Sequence, residues 1–358
     1  MDAENLNLMI EMEERKTSWV NLNSREKRET ETENKDQNQK PLEDGYGRKF
    51  DYLRISLTDK CNFQCFYCRP YRIPLFPRDE ILTFEEITFL SRFFVERFGI
   101  KKIRITGGEP FMRRGIEKLF EKLSEIDVEK CITTNGTLLS EYSEILKHYN
   151  VKVNVSLDTL DESKFQKIIG LSFPLKKILK GIDKSLSLGL SLKINTVVLR
   201  NINTDEIHKL IDFARDRGVE IRFIEFMPFS PLWKEYFVPE KEIKKIMHEK
   251  YEMREIKREK IAKLYELSNG VRVGFISTVS EPFCNMCSRI RITSNGKIVL
   301  CMFDRFSYDI KKFLRPEIKE EELEKFIRSI VLRKPKGFIE LKENKNEKAY
   351  IPMIKLGG

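Results

Sequence analysis

From Tyr52 onward the chain alternates short β-branched or apolar runs with longer stretches whose apolar positions recur every three to four residues. The short runs are "YLRISLT" (52–58), "KIRITGG" (102–108), "KCITTNG" (130–136), "VKVNVSLD" (151–158), "LKINTVVL" (192–199) and "EIRFIEFMP" (220–228), and each reads as a strand. Between them lie "TFEEITFLSRFFVERFG", "GIEKLFEKLSEI", "SEYSEILKHY", "PLKKILKGIDKSLSLG" and "NTDEIHKLIDFARDRG", which read as amphipathic helices, the last opening on Asn-Thr-Asp and stopping at Gly218. Strands separated by helices call for parallel pairing with right-handed crossovers. The expected fold class is α/β, either a partial barrel or an open doubly wound sheet, with chemistry at the carboxyl ends of the strands. The unusual residues gather there: three cysteines after the first strand, Gly107-Gly108-Glu109-Pro110 after the second, Thr-Thr-Asn-Gly after the third, Ser156 and Asp158 on the fourth, Met227 and Pro228 on the sixth.

Beyond Phe229 the periodicity is irregular, with β-like runs "AKLYEL", "VRVGFIS", "SRIRITS" and "KIVLCMF", then helical segments and a tail "PMIKLGG". This predicts a barrel domain over 44–228 and a smaller C-terminal α+β domain over 229–358. Residues 1–43 are polar and charged, with one short helical pattern around Leu6 to Met12. They cannot bury enough apolar surface to offset chain entropy and are read as a disordered extension.

Composition narrows the function classes. With 41% hydrophobic and 34% charged residues and no run of 18 apolar residues, the chain reads as globular, without a membrane partner. Its acidic start lacks the basic flank and apolar run of a secretory signal, so the expected compartment is the cytoplasm. Residues 1–43 hold 11 acids and 7 bases against a chain net charge of +10, so the folded part is the basic part, at +14. Polyphosphate, nucleic acid, an anionic membrane surface or plain surface lysine each suits that balance. A nucleic-acid surface would show a dense basic stripe with interleaved aromatics, whereas these bases are spread among strand ends, so no nucleic-acid partner is expected.

In a reducing compartment clustered thiols more often hold metal than form disulfides. Cys61-x3-Cys65-x2-Cys68 supplies three sulfurs, and His148, His208 and His248 lie in predicted helices away from them. A closed zinc site wants four ligands, while a [4Fe–4S] cluster on three thiolates leaves one iron open. Cys284-x2-Cys287-x13-Cys301 repeats the theme, with zinc and a distant fourth ligand as the alternative. Cys131 stands alone and is assigned to packing.

The first cysteine spacing, the aromatic Tyr67 before Cys68 and the Gly-Gly-Glu-Pro segment resemble the radical S-adenosylmethionine (SAM) superfamily. The ordered segments "DGYGRKFDYLRISLTDKCNFQCFYC", "RITGGEPFMRRGI", "TTNGTLL", "VNVSLDTLD", "KINTVVLRNIN", "IRFIEFMP", "GFISTVSEPFCNMCSRIRI" and the final "LGG" narrow the resemblance to the GTP 3′,8-cyclase family, over all but the extension. That resemblance implies a partial (β/α)6 TIM-like barrel of the radical SAM type. It implies one [4Fe–4S] cluster on Cys61, Cys65 and Cys68 and an auxiliary one on Cys284, Cys287 and Cys301. Tyr67, Gly108, Glu109, Ser156 and Met227 would bind SAM. Arg54, Lys102, Arg104, Thr133, Lys193, Arg222, Arg289 and Arg291 would face GTP, with Arg289, Arg291, Gly357 and Gly358 in catalytic roles.

The implied reaction removes the ribose 3′ hydrogen, joins C3′ to C8 of guanine and yields 3′,8-cyclo-7,8-dihydroguanosine triphosphate for molybdenum cofactor biosynthesis. Implied partners are an electron donor of ferredoxin or flavodoxin type and a downstream pterin synthase. Monomer and homodimer stay open. A peptide-modifying radical SAM protein with auxiliary clusters is the rival, set apart by "SRIRI" beside the second cysteine pair and by the terminal Gly-Gly.

Overall fold

A computed structural model describes residues 40–69, 73–259, 261–338, 341 and 351–357. The expected extension, with its short helix at Leu6 to Met12, therefore lies outside the described residues except for its last four positions. Those four belong to the fold. Strand β1 (Leu42–Glu43) pairs antiparallel with β2 (Lys49–Phe50), and Leu42 is buried.

The main sheet is built from β3 (Tyr52–Ser56), β4 (Lys102–Thr106), β5 (Glu129–Thr134), β6 (Lys152–Ser156), β7 (Leu192–Val198), β8 (Glu220–Glu225), β9 (Met253–Glu259), β10 (Ala262–Leu267), β11 (Arg272–Ile276), β12 (Arg289–Ile292), β13 (Lys297–Val299) and β14 (Tyr308–Asp309). The six expected strands are β3 to β8, adjacent in chain order and all parallel. Helices cross between them as the apolar periodicity requires. Phe84–Phe98, for example, starts at a Thr83/Glu86 capping box and stops at Gly99 in the left-handed region. One crossover helix, Glu162–Ile169, is absent from the periodicity reading; eight residues are too few for a periodic signal, and only its Asp161 cap and Gly170 stop mark it.

The C-terminal region joins the same sheet. β12 pairs parallel with β3 and β11 pairs parallel with β8, so the C-terminal region extends both edges of one twelve-stranded sheet, in the order β14-β13-β12-β3-β4-β5-β6-β7-β8-β11-β10-β9. Residues from Leu42 to Val331 share one hydrophobic core, and a small satellite cluster gathers Val299, Met302, Phe303, Phe338 and Leu356. The open order, with antiparallel edges at both ends, makes the barrel partial. The irregular periodicity after Phe229 reflects strands that serve as edges of an existing sheet.

The β1–β2 hairpin holds the C-terminal loop. The Asp44 carboxylate receives Arg48 Nε at 2.6 Å, and the same guanidinium donates to the carbonyls of Cys284, Pro335 and Lys336 at 2.7–2.9 Å. Both side chains are buried. Removing one partner of a buried pair leaves the other charge uncompensated. Arg48→Met is expected to cost about 3 kcal/mol or more in urea unfolding, while Lys49→Met, at an exposed neighbour, stays near wild type.

Candidate active site

Parallel register sets the interior of the barrel. Arg291, Arg54 and Arg104 lie directly opposite one another on β12, β3 and β4, and Arg289, Tyr52, Lys102 and Glu129 form the row beside them. Side chains two apart on a strand share a face, so both rows point inward together. They line a cavity of about 720 Å³ that also takes in Cys61, Cys65, Cys68, Tyr67, Gly108, Thr133, Ser156, Arg222, Met227 and Gly357. The structure thus brings together most of the residues expected at the SAM and GTP sites.

The cations repel one another and are taken out of water. Burial lowers Arg54 to about 9, helped by Arg291, Arg104 and Arg289, and lowers Arg291 to about 10, helped by Arg289. Burial also works against ionised Tyr52, but Arg104, Arg54 and Lys102 outweigh it and lower its pKa; its hydroxyl accepts from Arg104. Two acids balance the rest. Glu129 meets Lys102 at 2.5 Å and Lys152 at 2.7 Å, which overcomes burial and lowers it to about 2. Glu220 holds Lys193 at 2.9 Å and Arg222 at 2.5 Å. Arg222 lines the cavity, while Lys193, expected at the GTP site, sits outside its lining on the shared Glu220.

The cysteine loop follows β3. Gly108 lies so close to it that a Cβ would sit 2.2 Å from the Lys60 carbonyl; the Gly108 and Glu109 amides donate to the carbonyls of Thr58 and Lys60. On the other side, the Glu162–Ile169 helix receives the amides of Gln64 and Phe66 on its Ile169 and Ile168 carbonyls. Phe63 packs edge-on against Phe165 and Phe173.

The three thiols are buried near Glu109 and Asp158, with Arg69 as the opposing charge. Burial raises Cys61 to about 11 and Cys68 to about 12, and raises Cys65 as well. Tyr67 donates to Asp158 at 2.6 Å, whose other oxygen accepts the Val197 amide; burial raises Asp158 to about 6. Asp158, Asn135 and Lys101 also line the cavity. The strand-end motifs contain the first two, but nothing in the sequence marks Lys101.

Glu109, expected at the SAM site, is held by protein groups. Its carboxylate is fully buried, lies outside the cavity lining and accepts from Thr134 Oγ1, the Asn135 amide and the Phe111 amide at 2.7–3.1 Å. It ties the β4 loop to the end of β5.

At the second thiol group, Cys287 is 3.6 Å from Lys334 Nζ. Burial opposes ionisation there, yet Lys334 and Arg289 lower Cys287 to about 6. Gly337 leaves no room for a side chain, since a Cβ would meet Cys284 Sγ at 2.8 Å, and the Phe338 amide donates to that sulfur at 3.4 Å. The tail enters the cavity from the same region. Gly357 is left-handed (φ +76°), its carbonyl accepts from Arg54 at 3.0 Å, and a Cβ would meet Thr106 Oγ1 at 2.3 Å. Gly358 lies outside the described residues.

Glu109 generates a pH prediction. Burial raises its folded pKa from 4.5 to about 7, so between those values the unfolded chain has released a proton that the folded chain keeps. Stability then falls as pH rises from about 4.5 to about 7, by roughly 3 kcal/mol at 1.36 kcal/mol per unit. Urea unfolding of the apo-protein across that range should show a falling slope in wild type that is markedly flatter in Glu109→Gln; equal slopes would contradict the assignment.

Comparison with known proteins agrees with this geometry. Residues 55–214 match the Radical SAM superfamily, and residues 219–340 match Molybdenum Cofactor Synthesis C. A GTP 3′,8-cyclase of Thermodesulfovibrio yellowstonii is 39% identical over 88% of this chain and all of its own length. A GTP 3′,8-cyclase of Staphylococcus aureus is 36% identical over 81% of this chain and 89% of its own. Molybdenum cofactor biosynthesis protein 1 of Dictyostelium discoideum is 37% identical over 93% of this chain, which spans 55% of that longer protein. Among solved structures, Streptococcus suis SuiB bound to S-adenosylmethionine superposes with a TM-score of 0.59 at 16% identity, over 85% of this chain and 76% of SuiB, a likeness of fold alone. The cysteine loop at the end of β3, the Gly-Gly turn against it and sequence identity across both regions place this chain in the GTP 3′,8-cyclase family of the radical SAM superfamily.

Proposed function

We propose that the chain converts GTP into 3′,8-cyclo-7,8-dihydroguanosine 5′-triphosphate, the first step of molybdopterin biosynthesis, drawing its electrons from a ferredoxin- or flavodoxin-type donor and passing its product to a pterin synthase. The observation that carries this is the single cavity in which three thiols, a cation-lined barrel interior and the Gly357 backbone meet. The peptide-modifying alternative shares the fold but would have no use for that density of buried arginine.

The residues fit two [4Fe–4S] clusters. Each thiol group consists of three sulfurs, none of them paired in a disulfide. Amide N–H groups already point at Cys61 and Cys284 sulfurs, as thiolate ligands require. Around Cys61, Cys65 and Cys68 burial and the acids Glu109 and Asp158 outweigh the one nearby cation, Arg69, so iron would supply most of the positive charge that stabilises thiolates. Cys61, Cys65 and Cys68 would hold one cluster and Cys284, Cys287 and Cys301 the other; when bound, these clusters and SAM supply the one-electron, hydrogen-abstracting chemistry.

The chain itself orients and shields. Tyr67, Gly108, Ser156 and Met227 line the same cavity as the first thiol group and would position SAM. The Arg291, Arg54 and Arg104 row, with Lys102 and Arg222, offers a polyanion relief of their mutual repulsion, and guanidinium forks suit phosphate oxygens. Glu129 and Glu220 hold the lysines and Arg222 in place until phosphate displaces them. Thr133, already 3.2 Å from Arg104, orients that guanidinium. Arg289 and Arg291 lead from the cavity to the second thiol group, and Arg54 fixes the tail carbonyl beside them. Burial of Leu356 within the tail excludes water from that corner.

Anaerobically reconstituted wild type should bind about eight irons per chain, and Cys284→Ala/Cys287→Ala/Cys301→Ala about four. Iron analysis returning four for wild type would remove the auxiliary cluster. The tail makes a separate prediction. Gly357→Ala/Gly358→Ala should load both clusters and still cleave SAM, yet lose at least 100-fold in cyclised product, because a methyl at 357 collides with Thr106. Product formation near the wild-type rate would show that the tail has no part in the chemistry.

A further inference from the structure

Lys334 is a buried lysine, 3% exposed, with no carboxylate partner among the described residues. Removing an ammonium from water without an anion is costly, so such a lysine is found where something negative is to be received. Its three contacts define what that is. Nζ donates to the Arg289 carbonyl at 2.8 Å, sits 4.6 Å from the centre of the Phe50 ring and lies 3.6 Å from Cys287 Sγ. The carbonyl and the ring are neutral. Of these three contacts only the sulfur can carry a charge that balances the lysine, and Cys301 acts in the same direction.

The position is also fixed from outside. Lys334 leads into the 335–336 loop, whose two carbonyls, with that of Cys284, are gripped by the buried Arg48 guanidinium. Burial works against the charged lysine and Arg48 and Arg291 repel it, while Cys287 and Cys301 favour it. The first thiol group has no counterpart, for its surroundings are Glu109, Asp158 and the more exposed Arg69.

We propose that Lys334 is the positioning residue of the second cluster: its ammonium, anchored on the Arg289 carbonyl, donates to the Cys287 sulfur and raises the reduction potential of the cluster held by Cys284, Cys287 and Cys301. This rests on the two-cluster reading above. Reduction adds one electron to the cluster, with no bond made or broken and no proton moved. A fixed positive charge and an N–H donor at the ligating sulfur both favour the more negative state.

The test is an EPR-monitored redox titration of the reconstituted full chain with dithionite as the one-electron reductant. The Cys61→Ala/Cys65→Ala/Cys68→Ala variant identifies the signal of the second cluster. In Lys334→Met, the one-electron equilibrium constant of that cluster should fall at least tenfold, about 59 mV, while the first cluster is unmoved. Lys334→Arg should recover at least half of the shift. An unshifted second cluster in a fully loaded Lys334→Met protein overturns the proposal. If Lys334→Met loses the second cluster, iron content decides: retention by Lys334→Arg shows that the charge holds the thiolate, whereas loss in both variants makes the lysine a packing residue and overturns it. Wild type with only about four irons would instead remove the two-cluster reading.

Discussion

Three arginines facing one another across adjacent strands are the constraint around which this molecule is organised. Strands lie about 4.8 Å apart, so Arg291, Arg54 and Arg104 are forced together wherever their side chains begin. Burial removes the solvent that would screen them. Everything beside them answers that repulsion: Tyr52 accepts from Arg104, Glu129 and Glu220 gather the neighbouring bases, and the Gly357 carbonyl accepts from Arg54. A row so compensated is a binding site in waiting for a polyanion, because phosphate oxygens can replace weaker partners without any new charge being buried alone.

The same sheet explains why the two thiol groups differ. The first hangs on the carboxyl end of β3, between the Gly108 turn and the Glu162–Ile169 helix, and meets mainly acids. The second is attached to β12, the strand that brings Arg289 and Arg291 into the barrel, so its thiols stand among cations. One register therefore sets both the anion site and the electrostatic contrast between the clusters. That contrast matters for chemistry in which electrons enter and leave at sites held by one chain, since surrounding charge is a main determinant of cluster potential.

The C-terminal region, read from periodicity as a domain of its own, turns out to complete the site. β12 supplies two of the arginines, β11 extends the far edge beyond β8, and the tail inserts between Ser56, Thr106 and Arg54. Without it, the parallel run from β3 to β8 would expose both edges and lack the second thiol group. Arg48, near the chain's start, and Lys334, near its end, are further parts of that closure.

What the sequence by itself determined is local and chemical. Period-two and period-3.6 patterns are properties of neighbouring residues, so β3 to β8 and five of their helices are legible, as are the cysteine spacings, the Gly-Gly turn and the alternate cations at 102/104 and 289/291. What only the tertiary structure decided is everything that depends on which segments become neighbours. The pairing of β12 with β3, the spending of Glu109 on the β5 end, the withdrawal of Lys193 onto Glu220 and the burial of Lys334 against Cys287 all join residues distant in the chain. Such contacts arise from sheet register and shared burial, which leave no periodic trace in the segments they connect.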